Sequence, residues 1–332
     1  MKDFAGKIAF ITGGASGAGF GQAQLFSEAG MKVVIADVRD DHLAEAAAYF
    51  KEKNADVHAI KLDVTDREGF AKAADEVERI YGGPPELLIL TAGVNVFGPA
   101  EASTYEDFDW VVGVCFGGVL NGLITFVPRM IKAGKGGHIT ATVSWGAFGA
   151  EATTAPYRAA KAGALNLLES YYLALKPYNI EVSALCPASI NSRIHESALL
   201  ARPDHLKNTG YHVTEETQEY VATTQVNGLE PYELAQRHKK GIESGQFLII
   251  PYPNGTRMVE LEIERFVHYT TAEGTRRMDE RREQPPNDEE RRLMFERSGS
   301  NVTPSEKTLS SPNTGFAKAK KGIDWVDASR KV

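Results

Sequence analysis

The stretch that most constrains the fold is Lys7-Ile8-Ala9-Phe10-Ile11 followed by Thr12-Gly13-Gly14-Ala15-Ser16-Gly17-Ala18-Gly19. An apolar run that stops at a glycine cluster and resumes as a helical pattern admits few folds. The helix turns Phe20, Ala23 and Phe26 to one side and closes at Gly30, a residue suited to the left-handed position after a helix. Strand, glycine turn and helix in that order are what a dinucleotide site requires. Glycines let the backbone approach a pyrophosphate, and the free N–H groups of the helix start receive its charge. A glycine cluster alone is a weak signal, because the chain holds 31 glycines and many simply make turns. The flanking strand and helix are what give it weight.

The alternation continues. Residues 32–36 form a second strand ending in Asp37, where a carboxylate can hold both ribose hydroxyls of an adenosine and repel a 2′-phosphate. Ala15 and Val38 are not the basic residues an NADP site wants, so NAD is the expected cofactor. Arg39 is the one counter-signal and reads as a surface residue. Asp40 opens a helix to Lys53, residues 57–62 form a third strand ending at Asp63-Val64, and Asp66 caps a helix to Tyr81. The fourth strand, 86–91, runs into Ala92-Gly93. Residues 105–133 read as one long helix with Val111, Val114, Phe116, Leu120 and Phe126 along it, wide enough in apolar surface to face both a sheet and a second copy. Strands at 137–144 and 180–186 flank a helix at 156–176. Residues 193–229 interrupt the alternation above the carboxyl edge of the sheet and read as a substrate lid. Pro231 then opens a helix, and 245–250 form a seventh strand.

The expected architecture is therefore α/β: a doubly wound, seven-stranded parallel sheet, Rossmann-like, with helices on both faces. Residues 1–256 form a dinucleotide-binding catalytic domain that includes the lid. Residues 257–298 form a helical extension, in which 276–297 carry seven Arg and seven acidic residues. The Ser-, Thr-, Asn- and Lys-rich segment 299–332 reads as a flexible tail.

The chemistry is carried by Tyr157 and Lys161, four residues apart and so stacked on one helix face. An ammonium beside a phenol favours the phenolate, the form a general base needs. Spacing alone proves little, because Tyr49–Lys53 and Tyr172–Lys176 repeat it. Only Tyr157 has a serine, Ser144, thirteen residues upstream at the end of an apolar run, and only Tyr157 follows a proline suited to a first helical turn. Ser144, Tyr157 and Lys161 form one constellation, and the other pairs read as solvated faces. Trp145 and Phe148, beyond Ser144, read either as core or as a substrate wall, with Tyr211 of the lid as a further pocket residue. No metal site is expected.

Composition narrows the partners. A net charge of −7 argues against nucleic acid or an anionic membrane. The apolar run 8–11 is too short for a signal peptide or a span. Cys115 and Cys186 sit in apolar surroundings and read as core thiols of a reducing cytoplasm.

Taken together, Thr12-Gly13-x-x-x-Gly17-x-Gly19, Asp63-Val64, Ala92-Gly93, Ser144, Tyr157-x-x-x-Lys161 and Pro187-Ala188-x-x-x-Ser192 resemble the motif set of the short-chain dehydrogenase/reductase family, over roughly residues 5–250. The resemblance implies that Gly13, Ser16, Ala18, Asp37, Ala92 and Gly93 line the cofactor and that Asp63 and Val64 meet its adenine. After Pro187, the Ile190 backbone and the Ser192 hydroxyl hold the nicotinamide carboxamide. It implies hydride transfer between NAD and an alcohol. Tyr157 is then the acid/base, Ser144 holds the substrate oxygen, and Lys161 holds the nicotinamide ribose.

The sequence departs from the family in two places. Leu90-Thr91 stand where Asn-Asn is usual, and Cys115 stands where an asparagine holds a relay water and a neighbouring backbone group. A thiol is a poor hydrogen-bond partner, so these positions together read as a drift toward an apolar interior.

A narrower resemblance, to bacterial Cα-dehydrogenases of lignin β-aryl ethers, lies in Met1-Lys2-Asp3-Phe4, Phe97-Gly98-Pro99, Phe126-Val127-Pro128-Arg129-Met130, Asn227-Gly228-Leu229-Glu230-Pro231 and Ile249-Ile250-Pro251-Tyr252-Pro253. It implies a bulky aryl or benzylic secondary alcohol or its ketone as substrate. A hydroxysteroid dehydrogenase is the alternative, and a non-catalytic NAD-binding redox sensor is the alternative of another class. A cytoplasmic homodimer or homotetramer is expected.

Overall fold

The computed structural model describes residues 1–211, 222, 228–284 and 287–289. Seven parallel strands form one sheet in the order β3-β2-β1-β4-β5-β6-β7. They are β1 (Ile8–Thr12), β2 (Lys32–Asp37), β3 (Val57–Lys61), β4 (Leu87–Leu90), β5 (Gly137–Thr142), β6 (Ile180–Leu185) and β7 (Leu248–Ile249). The chain steps outward from β1 to β3, then returns past β1 to β4. That reversal opens a crevice at the carboxyl ends of β1 and β4, where ligands of such sheets bind. β1 and β4 are buried throughout, which is why they read as continuous apolar runs rather than alternating ones.

Helices cover both faces: α1 (Gly17–Glu28), α2 (Asp40–Glu52), α3 (Arg67–Tyr81), α4 (Tyr105–Val112), α5 (Gly118–Ala133), α6 (Ala155–Ala174), the short α7 (Ser197–Leu200), α8 (Pro231–Glu243), α9 (Gly255–His268) and α10 (Ala272–Glu283). On one face, Phe10 stacks on Phe126 with ring centroids 4.7 Å apart, joining β1 to α5. Both rings are fully buried, so truncating Phe10 to Ala would cost about 3–5 kcal/mol. On the other face, Phe26 of α1 and Leu234 and Ile242 of α8 pack together beneath the sheet.

The long apolar stretch is not one regular helix. Between α4 and α5, Gly113–Gly117 form a π-helical turn centred on Cys115. Tyr105–Ala133 is long and apolar enough by composition to cross a membrane, but half of its most apolar window is buried inside the protein. The helix starting at Gly255 belongs to the main core, since Met258 is buried beside Tyr252 and Leu234 and Arg265 donates to the Phe148 carbonyl at 3.0 Å. The expected boundary at 256 therefore falls inside a docked helix. Helix α10 carries Arg276 and Arg277 paired with Glu273 one turn away. The expected tail, 299–332, and most of the lid beyond Tyr211 lie outside the described residues.

Candidate active site

The glycine turn sits where β1 delivers it. Gly13 and Gly17 both have positive φ, +63° and +50°. A Cβ on Gly13 would lie 2.8 Å from the Ala92 backbone, and one on Gly19 would lie 2.0 Å from the Gly13 carbonyl oxygen. The turn can close against β4 only with glycine at these positions. Thr12 Oγ1 fixes the other wall, accepting from the Thr91 N–H at 3.0 Å and the Ala92 N–H at 3.2 Å.

At the end of β2, Asp37 accepts from the Arg39 N–H at 3.1 Å and the Ala15 N–H at 3.3 Å. Burial raises its carboxyl above the ordinary carboxylate value, and these N–H groups pull in the opposite direction. Arg39 is not a free surface residue. It lines the same cleft, paired with Asp41 and with Glu196 of the insertion.

One cleft of about 690 Å³ runs from Asp37 to the far side of Tyr157, a size typical of small-molecule sites. It brings together Gly13, Ser16, Ala18, Asp37, Asp63, Val64, Ala92, Gly93, Ser144, Trp145, Tyr157, Lys161, Pro187, Ile190 and Ser192. Three expected site residues do not line it. Cys115 is fully buried behind the wall. Phe148 stacks on Trp145 at 5.4 Å. Tyr211 is buried against the Gly98 turn with its hydroxyl bonded to Ser103, so it supports the wall near Val96 and Trp110 instead of forming it.

The catalytic constellation is assembled by β5 and α6. Pro156 lies in the first turn of α6, which buries Lys161 and directs Tyr157 into the cleft. Ser144 Oγ accepts from the Gly146 N–H at 3.0 Å, leaving its own hydrogen available to a ligand oxygen. Lys161 Nζ donates to the Thr142 carbonyl at 2.7 Å and lies 5.5 Å from the Tyr157 ring centroid. An ammonium has three protons, so this bond fixes the side chain and leaves two for ligands.

Leu90 is buried in the apolar core as the drift implies, but Cys115 and Thr91 both make polar contacts. Cys115 Sγ donates to the Val94 carbonyl at 3.2 Å and accepts from the Val94 N–H at 3.4 Å. The thiol thus bonds the neighbouring backbone on both sides, where a poor hydrogen-bond partner is expected. The Thr91 hydroxyl bonds Gln22 Oε1 and Thr142 Oγ1, each at 2.7 Å. Gln22 continues to His238 Nδ1 at 3.2 Å, and His238 Nε2 reaches Thr140 Oγ1 at 3.0 Å. This buried polar network lies under the site, beside the Thr142 carbonyl that holds Lys161. Burial pushes the His238 imidazole down to about 3, so it is neutral. Periodicity does not flag any of these groups, because they are single polar residues scattered over the sequence.

The described part of the insertion roofs the cleft with Arg193, Ile194, Ser197, Ala201, Pro203, His205 and Leu206. It is anchored by Arg202, which bonds Asp107 at 2.8 Å with both side chains buried. Removing either partner would leave a buried charge unpaired, at a cost of about 3–5 kcal/mol.

Comparison with known proteins agrees with this geometry. Residues 7–202 match the family model described as short chain dehydrogenase. A C alpha-dehydrogenase of Sphingobium sp. (strain NBRC 103272 / SYK-6) is 48% identical over 267 residues, covering 80% of this chain and 87% of that relative. The apo crystal structure of LigD from Sphingobium sp. strain SYK-6 superimposes with a TM-score of 0.67 at 43% identity, covering 80% of this chain and 97% of the other. A short chain dehydrogenase/reductase from Burkholderia phymatum, solved in complex with NAD, superimposes with a TM-score of 0.74 at 29% identity over 80% and 96% of the two chains.

Proposed function

Because the chain belongs to the short-chain dehydrogenase family, we propose that it oxidises a bulky aryl or benzylic secondary alcohol to its ketone with NAD, and reverses that reaction. The observation that carries this reading is the single cleft joining a dinucleotide cradle to Ser144, Tyr157 and Lys161. The likeness to the Sphingobium C alpha-dehydrogenase supports the substrate class.

NAD is the cofactor. The cradle fits a dinucleotide, because the Gly13 turn leaves no room for a Cβ against Ala92. Asp37 stands at the far end of the cleft to accept ribose hydroxyls, and its charge disfavours a 2′-phosphate. The Arg39 guanidinium, a cation next to Asp37 that would favour that phosphate, is engaged by Asp41 and Glu196. When bound, NAD supplies the hydride acceptor.

This chain's residues do the rest. Tyr157 Oη takes the hydroxyl proton of the alcohol as the carbinol hydrogen leaves as hydride. Ser144 donates to the substrate oxygen and steadies its developing charge. Lys161, held by the Thr142 carbonyl, offers its remaining protons to the ribose and to the phenol. Trp145, Trp110, Phe97 and Leu206 supply apolar walls that exclude water around an aryl group.

Incubation with NAD and a panel of benzylic, aliphatic and steroid alcohols, followed by absorbance of the reduced cofactor, tests the reading. Benzylic alcohols should turn over fastest. A preference for steroids would move the substrate class, and no turnover of any alcohol would favour a cofactor-binding sensor.

Assembly and location belong to the same proposal. Phe108 and Ile124 on α4–α5 and Leu173 on α6 are exposed apolar groups, which supports a homodimer or homotetramer formed through these helices. Light scattering at micromolar concentration should give a multiple of the chain mass, and a monomer would contradict it. The two cysteines, both free and buried, support a cytoplasmic location.

A further inference from the structure

In the cleft wall beyond Ala92 and Gly93, one polar side chain stands out. Asn95 is 6% exposed, lines the cleft, and its carboxamide oxygen has no hydrogen-bond partner. Its backbone does not share that condition. The Asn95 N–H donates to Ser197 Oγ of the insertion at 3.2 Å, and the preceding Val94 is gripped on both sides by Cys115. The loop that presents Asn95 is therefore held from two directions while its side-chain oxygen is left unsatisfied. Buried polar groups without partners are rare and costly, and one at the wall of a ligand cleft is a group waiting for a ligand.

The surroundings define that ligand. Arg158, the cation beside Tyr157 in this part of the cleft, already bonds Glu151, the Gly149 carbonyl and Thr154 Oγ1. Arg193, in the roof, pairs with Glu45. Among the described residues, a substrate carboxylate thus meets no unengaged arginine here. A carboxamide offers one donor group and one acceptor and turns readily about its last torsion, and a hydroxyl likewise both donates and accepts.

We infer that Asn95 is a specificity-determining residue that hydrogen-bonds a second, neutral hydroxyl of the substrate, so that the enzyme prefers aryl carbinols carrying another hydroxyl near the reacting carbon. This rests on the alcohol dehydrogenase reading above. It assigns Asn95 to the substrate and not to the cofactor, because Ser197 of the roof holds the Asn95 backbone, whereas Gly13 and Asp37, which would hold the dinucleotide, stand at the ends of β1 and β2.

The test compares 1-phenyl-1,2-ethanediol with 1-phenylethanol, each with NAD. The wild-type enzyme should favour the diol by at least ~10-fold in kcat/KM, because the mono-alcohol leaves the buried Asn95 oxygen unpaired. Asn95→Leu should bring that ratio close to one, and Asn95→Ser, which keeps a shorter hydroxyl, should retain part of it. Binding gives a second readout. Tryptophan fluorescence should show 2-hydroxyacetophenone binding more tightly than acetophenone to the wild type and equally to Asn95→Leu, with NAD affinity unchanged in both proteins. Equal efficiency of the wild type on both alcohols would overturn the inference while leaving the function intact. So would an Asn95→Leu enzyme that keeps the ratio, or one that loses NAD affinity. No turnover of either alcohol by the wild type would overturn the function and this inference together.

Discussion

Cys115 and Val94 form a closed pair: the thiol donates to the Val94 carbonyl at 3.2 Å and accepts from the Val94 N–H at 3.4 Å. The π-turn at Gly113–Gly117 brings the thiol to that strand end. Removing it leaves two buried backbone groups without partners. Cys115→Ala should therefore lower stability by about 1–3 kcal/mol and reduce kcat by loosening Gly93-Val94-Asn95. Cys115→Ser, which keeps a donor and an acceptor, should lie between the two. Thermal melts and initial rates of the three proteins check this, and an alanine variant as stable as wild type would show that the pair is incidental.

NAD affinity should depend on pH through Asp37. Burial raises its folded-state value above the usual 3.8. By itself this group adds stability that is complete below that unfolded value and lost as pH rises through the folded one. Ribose hydroxyls donate to the charged form, so NAD binding favours the carboxylate and expels a proton. Affinity should then weaken as pH falls through the folded value, and Asp37→Asn should remove that dependence while narrowing the preference for NAD over NADP. Calorimetric titration across that range reads both effects. An unchanged pH slope in the variant would exclude Asp37 as the ribose ligand.

The buried network under the site sets an acid limit on stability. His238 titrates near 3 in the folded protein because it is fully buried, against an ordinary value of 6.5. Its folded value is depressed, so its contribution is present above about 6.5 and drains away as pH falls toward 3. The loss is on the order of a few kcal/mol. His238→Gln, which can still bond Gln22 and Thr140, should flatten the decline in melting temperature between pH 7 and pH 4. An identical decline in the variant would place the acid sensitivity elsewhere.

The Thr91 hydroxyl should matter more than its size implies. Thr91→Val preserves the shape but leaves Gln22 Oε1 without its donor and breaks the bond to Thr142 Oγ1. The strand end whose carbonyl holds Lys161 is then less firmly fixed. A fall in kcat larger than any rise in the KM for NAD is expected, with Thr91→Ser restoring most of it. A Val variant with wild-type kcat would reduce the network to a structural role.

The fold was legible because it is written in repeating patterns. Apolar runs such as 8–11 and 87–90, each ending in small or acidic residues, announce buried parallel strands, and Pro156 and Gly30 mark helix ends. The seven strands stand where these signals put them, although β7 shortens from the expected 245–250 to Leu248–Ile249. The motif residues, far apart in sequence, also meet along one cleft. What escaped was set by tertiary contact. The π-turn within 105–133 carries Cys115, which bonds Val94, a contact that no helical periodicity encodes. Tyr211 reads as a pocket aromatic, yet Ser103 and the Gly98 turn take it. Gln22 and His238 meet across 216 residues of sequence, and Asn95 is one asparagine in a loop.

The central claim is that Tyr157 is the acid/base of an NAD-dependent alcohol dehydrogenase, and Tyr157→Phe tests it most directly. The substitution removes one hydroxyl from a ring held at the cleft wall, so NAD affinity by fluorescence titration and the melting temperature should stay near wild type. With a benzylic alcohol as substrate, kcat should fall by at least ~100-fold. A Phe variant that binds NAD and retains near-normal kcat would contradict the account and send the proton elsewhere.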